Sequence, residues 1–202
     1  FDISEMIKLF DFKDFNLSSA YFDIQKLEWL NGEYIRKMSD EELTKRLQEF
    51  LVDHPSKDKI GPVVPLIKER IKKLSDFVPL TDFLFEKVEY DLAVFNKLLP
   101  RHPDPAPSGA GEGFHDLEPI LKRVIKEMES MGKSWKADIF EQTFRKLAED
   151  LNLSVTAMFQ LIRVAVSGQL ITPPLFESIK ILGEEEVLKR FKEALSFVSS
   201  AP

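Results

Sequence analysis

Apolar residues recur at every third or fourth position along most of this chain, in segments that begin with helix-capping residues. The clearest segment places four apolar residues on one face of a helix: Leu43, Leu47, Phe50 and Leu51. Ser39 and Glu42 precede it at the spacing of a capping box, in which each side chain binds a backbone N–H of the other residue. No segment alternates apolar and polar residues as a half-buried strand does, and no internal repeat is present. The sequence therefore predicts an all-α fold.

The same signals predict where individual helices begin and end. Ser4 and Asp23 are expected to cap the first two helices, and Asn31-Gly32 is expected to end the second. Trp29, which lies among apolar residues of that helix, and the nearby Tyr34 are expected to pack in the core. Further helices are predicted over residues 62–77, 80–85, 90–99, 114–131, 136–151, 154–167 and 184–199.

A proline- and glycine-rich stretch, residues 99–113, interrupts this helical pattern. Its four prolines remove backbone donors and fix φ, and its glycines then release the backbone again. Such a composition suits a connection between packed units. We therefore expect two helical units, one ending near residue 100 and one beginning near residue 114, joined by a linker over residues 101–113.

The composition is that of a globular protein. Hydrophobic residues make up 44% and charged residues 31% of the 202 residues, which suffices for one large domain or two small ones. No apolar run approaches the roughly 18 residues of a membrane span and no secretory signal opens the sequence, so a cytosolic location is expected. Cysteine is absent and the three histidines lie far apart, so neither a disulfide nor a metal site is expected. Because the chain begins at Phe1, within an amphipathic segment, we expect a fragment of a longer protein.

Charge and motifs limit the possible functions. The net charge of −6 argues against indiscriminate binding to nucleic acid, which depends on counterion release by many surplus cations. It leaves room for selective recognition of one folded RNA through a local basic face, because electrostatic fields act locally at physiological ionic strength. The sequence has no glycine-rich phosphate loop, no nucleophile elbow and no pair of histidines at metal-binding spacing. Catalysis by this chain alone is therefore not expected.

One segment, residues 161–183, predicts a rigid corner between two helices. Gly168 is placed to adopt the left-handed conformation that ends the helix containing Arg163. Thr172 and Pro173 then combine a helix cap with a proline at the first helical position, where its missing N–H costs nothing. Such a corner can offer Arg163 and backbone N–H groups to an unstacked nucleic-acid base. The residues alone leave open a second interpretation, a solvated Arg163 beside an ordinary tight turn.

Two segments resemble one family. Residues 161–183, in which a helix ends in a small residue plus glycine and a proline-started helix runs to another glycine, resemble the C-terminal signature of bacterial glutamyl-tRNA synthetases, class I aminoacyl-tRNA synthetases. Residues 22–36 resemble the stretch that follows the ATP loop in the same family. The order and the approximate spacing of the two segments agree with the family, and the proline- and glycine-rich linker is the main departure from it.

The resemblance implies a division of the chain and a set of partners. Residues 1–45 would be the end of a stem-contact region and a connector, 46–100 a first anticodon-binding subdomain, 101–113 the linker and 114–202 a second anticodon-binding subdomain. The expected partner is tRNA(Glu), bound by a monomer, with no DNA or membrane partner. ATP and magnesium are implied for the parent enzyme, whose catalytic domain is absent, and no cofactor is implied for this fragment. Loss of that domain is expected to leave apolar surface exposed near residues 1–38.

The resemblance also implies five site residues. Arg163 matches an arginine that contacts the anticodon. Thr172, Pro173 and Leu175 match residues of the loop that cradles the anticodon bases, the last two as apolar surface against a base. Arg70 matches an arginine that reads the third anticodon base. A guanidinium there binds acceptors on a cytosine edge and loses a partner on guanine, which would separate glutamate from glutamine anticodons. Alternatively, Arg70 belongs to a basic helix face that is only solvated or contacts phosphates.

Two rival functions stay open at this point. One is a helical protein-interaction module without an RNA role, which the acidic net charge favours and which predicts indifference to mutation of Arg163. The other is a diverged paralogue that keeps the fold and binds another RNA, which predicts tRNA binding without anticodon preference.

Overall fold

The computed structural model of the chain describes residues 2–14, 21–98, 117–132 and 135–200. Within these ranges the secondary structure is helical throughout and includes no strand, which confirms the all-α prediction. The α-helices are α1 (Ile3–Leu9), α2 (Ile24–Lys37), α3 (Asp40–Phe50), α4 (Val64–Ile67), α5 (Phe77–Thr81), α6 (Leu92–Phe95), α7 (Leu117–Ser130), α8 (Ala137–Asp150), α9 (Val155–Ser167), α10 (Leu175–Leu182) and α11 (Glu184–Ser199). Single 3-10 turns cover Phe12–Asp14, Lys57–Lys59, Gly61–Val63, Leu74–Asp76 and Asp82–Leu84.

The first helices begin at side chains that bind the free backbone N–H groups of the first turn. Helix α1 begins two residues earlier than expected, because Asp2 and not Ser4 is its cap: the Asp2 carboxylate accepts from the Glu5 N–H, and the Glu5 carboxylate accepts from the Asp2 N–H. Helix α3 begins as predicted, with the Ser39 hydroxyl accepting from the Glu42 N–H at 3.1 Å. The reciprocal half of the predicted capping box is wrong, because the Glu42 carboxylate accepts from Arg46, at 3.0 Å, among the described residues. Phe50, predicted on the apolar stripe of this helix, is 53% exposed.

Helix α2 begins after Asp23 as predicted, but it does not end at Asn31-Gly32. It continues through Gly32 to Lys37, so the predicted end is wrong. Gly32 is buried, and a Cβ added there would lie 3.6 Å from the Cα of Lys72. The Asn31 side-chain amide donates to the carbonyl of Lys72. The backbone of Lys72 therefore lies beside Gly32 at an ordinary packing distance, and Gly32 does not adopt the left-handed conformation with which a glycine ends a helix.

The predicted helix over residues 62–77 is broken in the structure. Only α4 and the first residue of α5 are α-helical within it, and a turn separates them. The Asp76 carboxylate accepts from the backbone N–H groups of Lys72 and Lys73, at 2.9 and 3.1 Å. An aspartate that binds nearby N–H groups offers the backbone an alternative to helical hydrogen bonds, which explains the break.

The buried apolar side chains form one continuous core. In the second half of the chain, α11 packs against α7 and α9, and α8 packs against α9. Phe140, Phe144 and Phe191 are fully buried among these helices. Phe95, which belongs to the first half, is fully buried in the same core. The two predicted units therefore pack against each other, while the predicted linker over residues 101–113 lies outside the described residues.

Apolar side chains of α1, α2 and the segment before α2 are exposed. Trp29 and Tyr34, expected in the core, are 56% and 60% exposed, so that prediction is wrong. The exposed set, here called the N-terminal apolar surface, comprises Ile3, Met6, Ile7, Leu9, Phe10, Phe12, Tyr21, Phe22, Ile24, Leu27, Trp29, Leu30 and Tyr34. This exposure agrees with the expectation for residues 1–38. Among the described helices, none has the length and apolar content that spanning a bilayer requires.

Candidate nucleic-acid interface

Gly168 forms the corner that the sequence predicts. Helix α9 ends there with the glycine in the left-handed conformation, at φ 71° and ψ 0°, and the Gly168 N–H donates to the Val164 carbonyl at 2.7 Å. A Cβ at this position would lie 2.6 Å from the carbonyl oxygen of Glu89 and 3.0 Å from a methyl group of Val88. Glycine is therefore required twice, for its backbone conformation and for the contact with residues 88–89.

The second half of the corner differs from the prediction. Helix α10 begins at Leu175 and not at Pro173, and no side chain caps it. The Thr172 hydroxyl donates to the Pro173 carbonyl at 3.0 Å, so Thr172 stabilises the loop and is not a helix cap. The reason lies in the sequence: Pro173 precedes Pro174, and a residue before proline is disfavoured in the helical region.

Arg70 and Arg163 come together at this corner from distant parts of the chain. The Arg70 guanidinium donates to the carbonyl of Thr172 at 2.9 Å, across 102 positions of sequence. Arg163 is partly buried, and its Nε is shielded from solvent without a hydrogen-bond acceptor in the part of the chain that the structure describes. Burial, and then the positive charge of Arg70, lower the pKa of the Arg163 guanidinium. The structure thus places Arg70, Arg163 and Thr172 in one site.

The charge at this corner is not neutralised by any carboxylate in the part of the chain that the structure describes. Among the described residues, neither Arg70 nor Arg163 forms an ion pair with a carboxylate. A guanidinium carries five N–H donors, and Arg70 uses only one nitrogen in its contact with Thr172. Two adjacent cations with unused donors attract an anion or the acceptor edge of a base. A local basic site therefore exists on a chain whose net charge is −6.

The apolar part of the site also differs from the prediction. Pro173 and Leu175 are buried, so in this conformation they do not offer apolar surface to a base. Ile171, in the loop between α9 and α10, is instead the exposed apolar residue of the corner, at 72%. Neither the helical periodicity nor the family resemblance indicated Ile171. Its position in the sequence could have indicated exposure, because an isoleucine between a helix-ending glycine and a pair of prolines lies outside every amphipathic stripe.

Two other features of the structure do not resemble a nucleic-acid site. A cavity of about 920 Å³ lies at the far end of α10, and carboxylates outnumber ammonium groups on its wall. Its charged lining residues are Glu177, Glu184, Glu185, Glu186, Lys136 and Lys180. This balance repels phosphates.

The second feature that does not resemble a nucleic-acid site is a cluster of three possible ligand residues, His54, Asp82 and Glu86. Their ligand atoms lie within 4.8 Å of one another. The His54 Nδ1 accepts from the Ser56 N–H at 3.2 Å. A neutral ring then carries its proton on Nε2, which faces Asp82 at 3.4 Å. With one nitrogen accepting and the other protonated, the ring serves a local hydrogen-bond network.

Comparison with known proteins identifies the family. The family described as "Anticodon binding domain" matches residues 42–195. This chain belongs to the anticodon-binding domain family. The glutamate–tRNA ligase 2 of Thermosipho melanesiensis is 32% identical over 204 residues, which cover 96% of this chain and 41% of that protein. The glutamate–tRNA ligase 2 of Fervidobacterium nodosum is 31% identical over 202 residues, which cover 99% of this chain and 40% of that protein.

A solved structure extends the comparison to the fold. The anticodon-binding chain superimposes on a glutamate tRNA ligase from Elizabethkingia meningosepticum with a TM-score of 0.72 at 22% identity, over 96% of this chain and 36% of that one. At this identity the likeness concerns the fold alone. The chain spans about 40% of the length of the curated relatives it matches. The resemblance stated from residues 22–36 and 161–183 is thus confirmed.

Proposed function

We propose that this chain is the anticodon-recognition portion of a glutamate–tRNA ligase and that the corner around Gly168 binds the anticodon of tRNA(Glu). The observation that carries the proposal is the convergence of Arg70, Arg163 and Thr172 at one exposed corner. The arginines have unused donors and no carboxylate partner in the described part of the chain. RNA bases that are splayed out of a loop offer the acceptors that such donors bind.

The residues of the corner have different roles in the proposed recognition. Arg70 and Arg163 supply donors, and Arg70 is the residue assigned to the third anticodon base. Thr172, Pro173 and Leu175 shape the loop from within, since their side chains are buried. Ile171 supplies apolar surface for a base face. The Arg70 contact with the Thr172 carbonyl orients its guanidinium and leaves the remaining N–H groups for the base edge.

The parent enzyme would supply the chemistry. In our proposal a part of the parent outside this chain activates glutamate with ATP and magnesium and transfers it to the tRNA in the cytoplasm. The anticodon-binding portion, acting within a monomer, holds the far end of the tRNA so that its acceptor end is aligned. The N-terminal apolar surface packs against the remainder of the parent, since exposed patches of this kind mark interfaces.

The test is a binding titration of this chain against three RNAs. These are tRNA(Glu), the same tRNA with its third anticodon base changed, and an unrelated tRNA. Each titration is repeated with Arg70→Ala, Arg163→Ala and the control Arg145→Ala, which removes an exposed arginine paired with Glu141 on α8. We expect a preference for the glutamate anticodon, reduced by about 1–3 kcal/mol in the two site variants, as for a base-reading arginine. The control should bind as the unchanged chain does.

The rival functions give different results. If the unchanged chain binds all three RNAs equally, the result favours a paralogue that binds RNA without reading the anticodon. No binding at low salt favours a protein-interaction module. Equal losses in Arg145→Ala and Arg163→Ala would show that arginine contributes only through general charge.

A further inference from the structure

Arg190 is a buried cation that joins the two halves of the chain. The residue lies on α11 and is 4% exposed. One of its terminal nitrogens donates to the Phe83 carbonyl at 2.7 Å and to the Val166 carbonyl at 2.8 Å. Its Nε donates to the Glu186 carboxylate at 3.0 Å, and its other terminal nitrogen approaches the Glu86 carbonyl at 3.4 Å. One side chain thus fixes residues 83–86 against the last turn of α9.

Tyr90 completes the same network from the opposite side. Its hydroxyl lies 2.8 Å from the Ala165 carbonyl and 2.9 Å from the backbone carbonyl of Arg190. Burial, and then the charge of Glu193, raise the pKa of Tyr90, so the hydroxyl keeps the proton that it donates. Ala165 and Val166 carry two of the four carbonyls at the end of α9 that lack a partner within the helix. The positive guanidinium at this helix end also agrees with the sign of the helix dipole.

The network lies one turn from Arg163. Arg163 is on α9, whose end is held by Arg190 and Tyr90, whereas Arg70 belongs to the first half of the chain. Residues 83–90, which bind Arg190, carry Tyr90 and contact Gly168, also belong to the first half. The docking of residues 83–90 against α9 therefore contributes to the separation between the two site arginines, together with the Arg70 contact to the Thr172 carbonyl. Arg190 and Tyr90 make the side-chain hydrogen bonds of that docking.

We propose that Arg190 and Tyr90 are positioning residues, which hold α9 so that Arg163 faces Arg70 at the spacing that one anticodon requires. The proposal rests on the proposed function, because it concerns the same site. The proposal predicts a result that the site residues alone do not. A substitution at a group buried beneath the corner should change the anticodon preference, although every group that contacts RNA is still present.

The first arm of the test measures anticodon preference. Tyr90→Phe removes one hydroxyl and keeps the ring, which packs on Phe95 and Phe197. Arg190→Lys keeps the charge and loses the forked donor. The control, Leu43→Ala, removes a fully buried side chain of α3 and lowers stability without touching the network. We expect the ratio of affinities for tRNA(Glu) and for its third-base variant to fall by about 2-fold to 30-fold in the two network variants. The ratio should be unchanged in Leu43→Ala, and affinity for an unrelated tRNA should be unchanged in all three.

The second arm needs no RNA. The Nε–H resonance of Arg163 is assigned in an ¹⁵N-labelled sample by its loss in Arg163→Lys. The shielding of this Nε predicts slow exchange of its proton with water. In Tyr90→Phe the resonance should shift and exchange faster, and in Leu43→Ala it should do neither. If Arg190→Lys does not fold, Tyr90→Phe alone decides.

The two arms separate failure of this proposal from failure of the proposed function. A chain that prefers no anticodon refutes the proposed function, and the Arg163 resonance then still decides whether the network positions that side chain. Preference in the unchanged chain that persists in Tyr90→Phe, together with an unmoved Arg163 resonance, overturns the positioning role. So does an equal loss of preference in Leu43→Ala, since general destabilisation would then suffice.

Discussion

Substitution of Gly168 by alanine tests the geometry of the corner most directly. The left-handed conformation, φ 71°, costs a residue with a Cβ about 1–2 kcal/mol. The new Cβ would lie 2.6 Å from the Glu89 carbonyl oxygen, a backbone atom that cannot swing away as a side chain can. Relief of that overlap requires a shift of the corner, for which overpacked sites cost about 1–3 kcal/mol. Gly168→Ala should therefore lower the free energy of unfolding by about 2–5 kcal/mol.

A second glycine separates these two contributions. Gly132 has almost the same φ, 70°, and a Cβ added there meets nothing within 4 Å. Gly132→Ala should therefore show only the conformational cost of about 1–2 kcal/mol. Urea unfolding of both variants, followed by circular dichroism at equal protein concentration, gives the two free energies. The difference between them measures the contact between Gly168 and residues 88–89.

One result would refute this reasoning. If Gly168→Ala and Gly132→Ala lose equal stability, within about 0.5 kcal/mol, the corner does not pack against Glu89 as described. A loss of tRNA affinity confined to Gly168→Ala would in addition connect this contact to binding.

Three further predictions concern separate parts of the molecule. Ser39→Ala removes the cap of α3 and should cost about 0.5–2 kcal/mol of unfolding free energy, measured by thermal and urea denaturation. Ile171→Ser should weaken tRNA binding by up to about 1.5–3 kcal/mol if a base buries this exposed side chain. It should change stability by less than about 0.5 kcal/mol. Unchanged affinity in the same titration would exclude the contact. Burial acts to raise the pKa of Glu186, but hydrogen bonds from Arg190 and Lys189 outweigh it and the pKa falls below 4.5. Its contribution to stability is therefore complete above pH 4.5 and is lost as the pH falls through the lowered folded-state pKa, so Glu186→Gln should flatten the acid side of the pH–stability profile.

Local signals predicted the helices of the second half well. Helices α7, α8, α9 and α11 fall within three residues of the ranges expected from apolar spacing and caps. Ser154, for example, accepts from the Ala157 N–H at 3.1 Å, a contact that depends on four consecutive residues only. Where the information is local, the sequence is sufficient.

The helix boundaries that were predicted wrongly depend on a residue distant in sequence or on a neighbouring residue whose effect was overlooked. Gly32 does not end α2, because it keeps the helical backbone conformation, and the backbone of Lys72, forty positions later, packs beside it. The helix over residues 62–77 breaks because the Asp76 carboxylate accepts from the backbone N–H groups of Lys72 and Lys73. Helix α10 begins late because a second proline follows Pro173. Trp29 is exposed, whereas large apolar side chains are usually buried in the core.

The site was predicted by a different route. Nothing in spacing or periodicity indicates that Arg70 reaches the carbonyl of Thr172, 102 positions away. The resemblance to glutamyl-tRNA synthetases selected Arg70 and Arg163 separately, and the fold then placed them together. Neither periodicity nor the resemblance indicated Ile171, because it lies on no apolar stripe and is not among the matched site residues.

The arrangement of Arg163 implies a conflict between stability and binding. Its Nε is shielded from solvent and has no acceptor within the described ranges, and the positive charge of Arg70 acts on its guanidinium. An unsatisfied buried donor costs about 1–3 kcal/mol, and a neighbouring like charge adds to this cost. Arg163→Met keeps much of the apolar length of the side chain and removes both penalties. We therefore expect this variant to equal or exceed the unchanged chain in free energy of unfolding, by up to about 1–3 kcal/mol, while its affinity for tRNA(Glu) falls. If instead Arg163→Met unfolds more easily, the guanidinium stabilises the free protein, and the unused donors would then be a feature of the fold and not of RNA recognition.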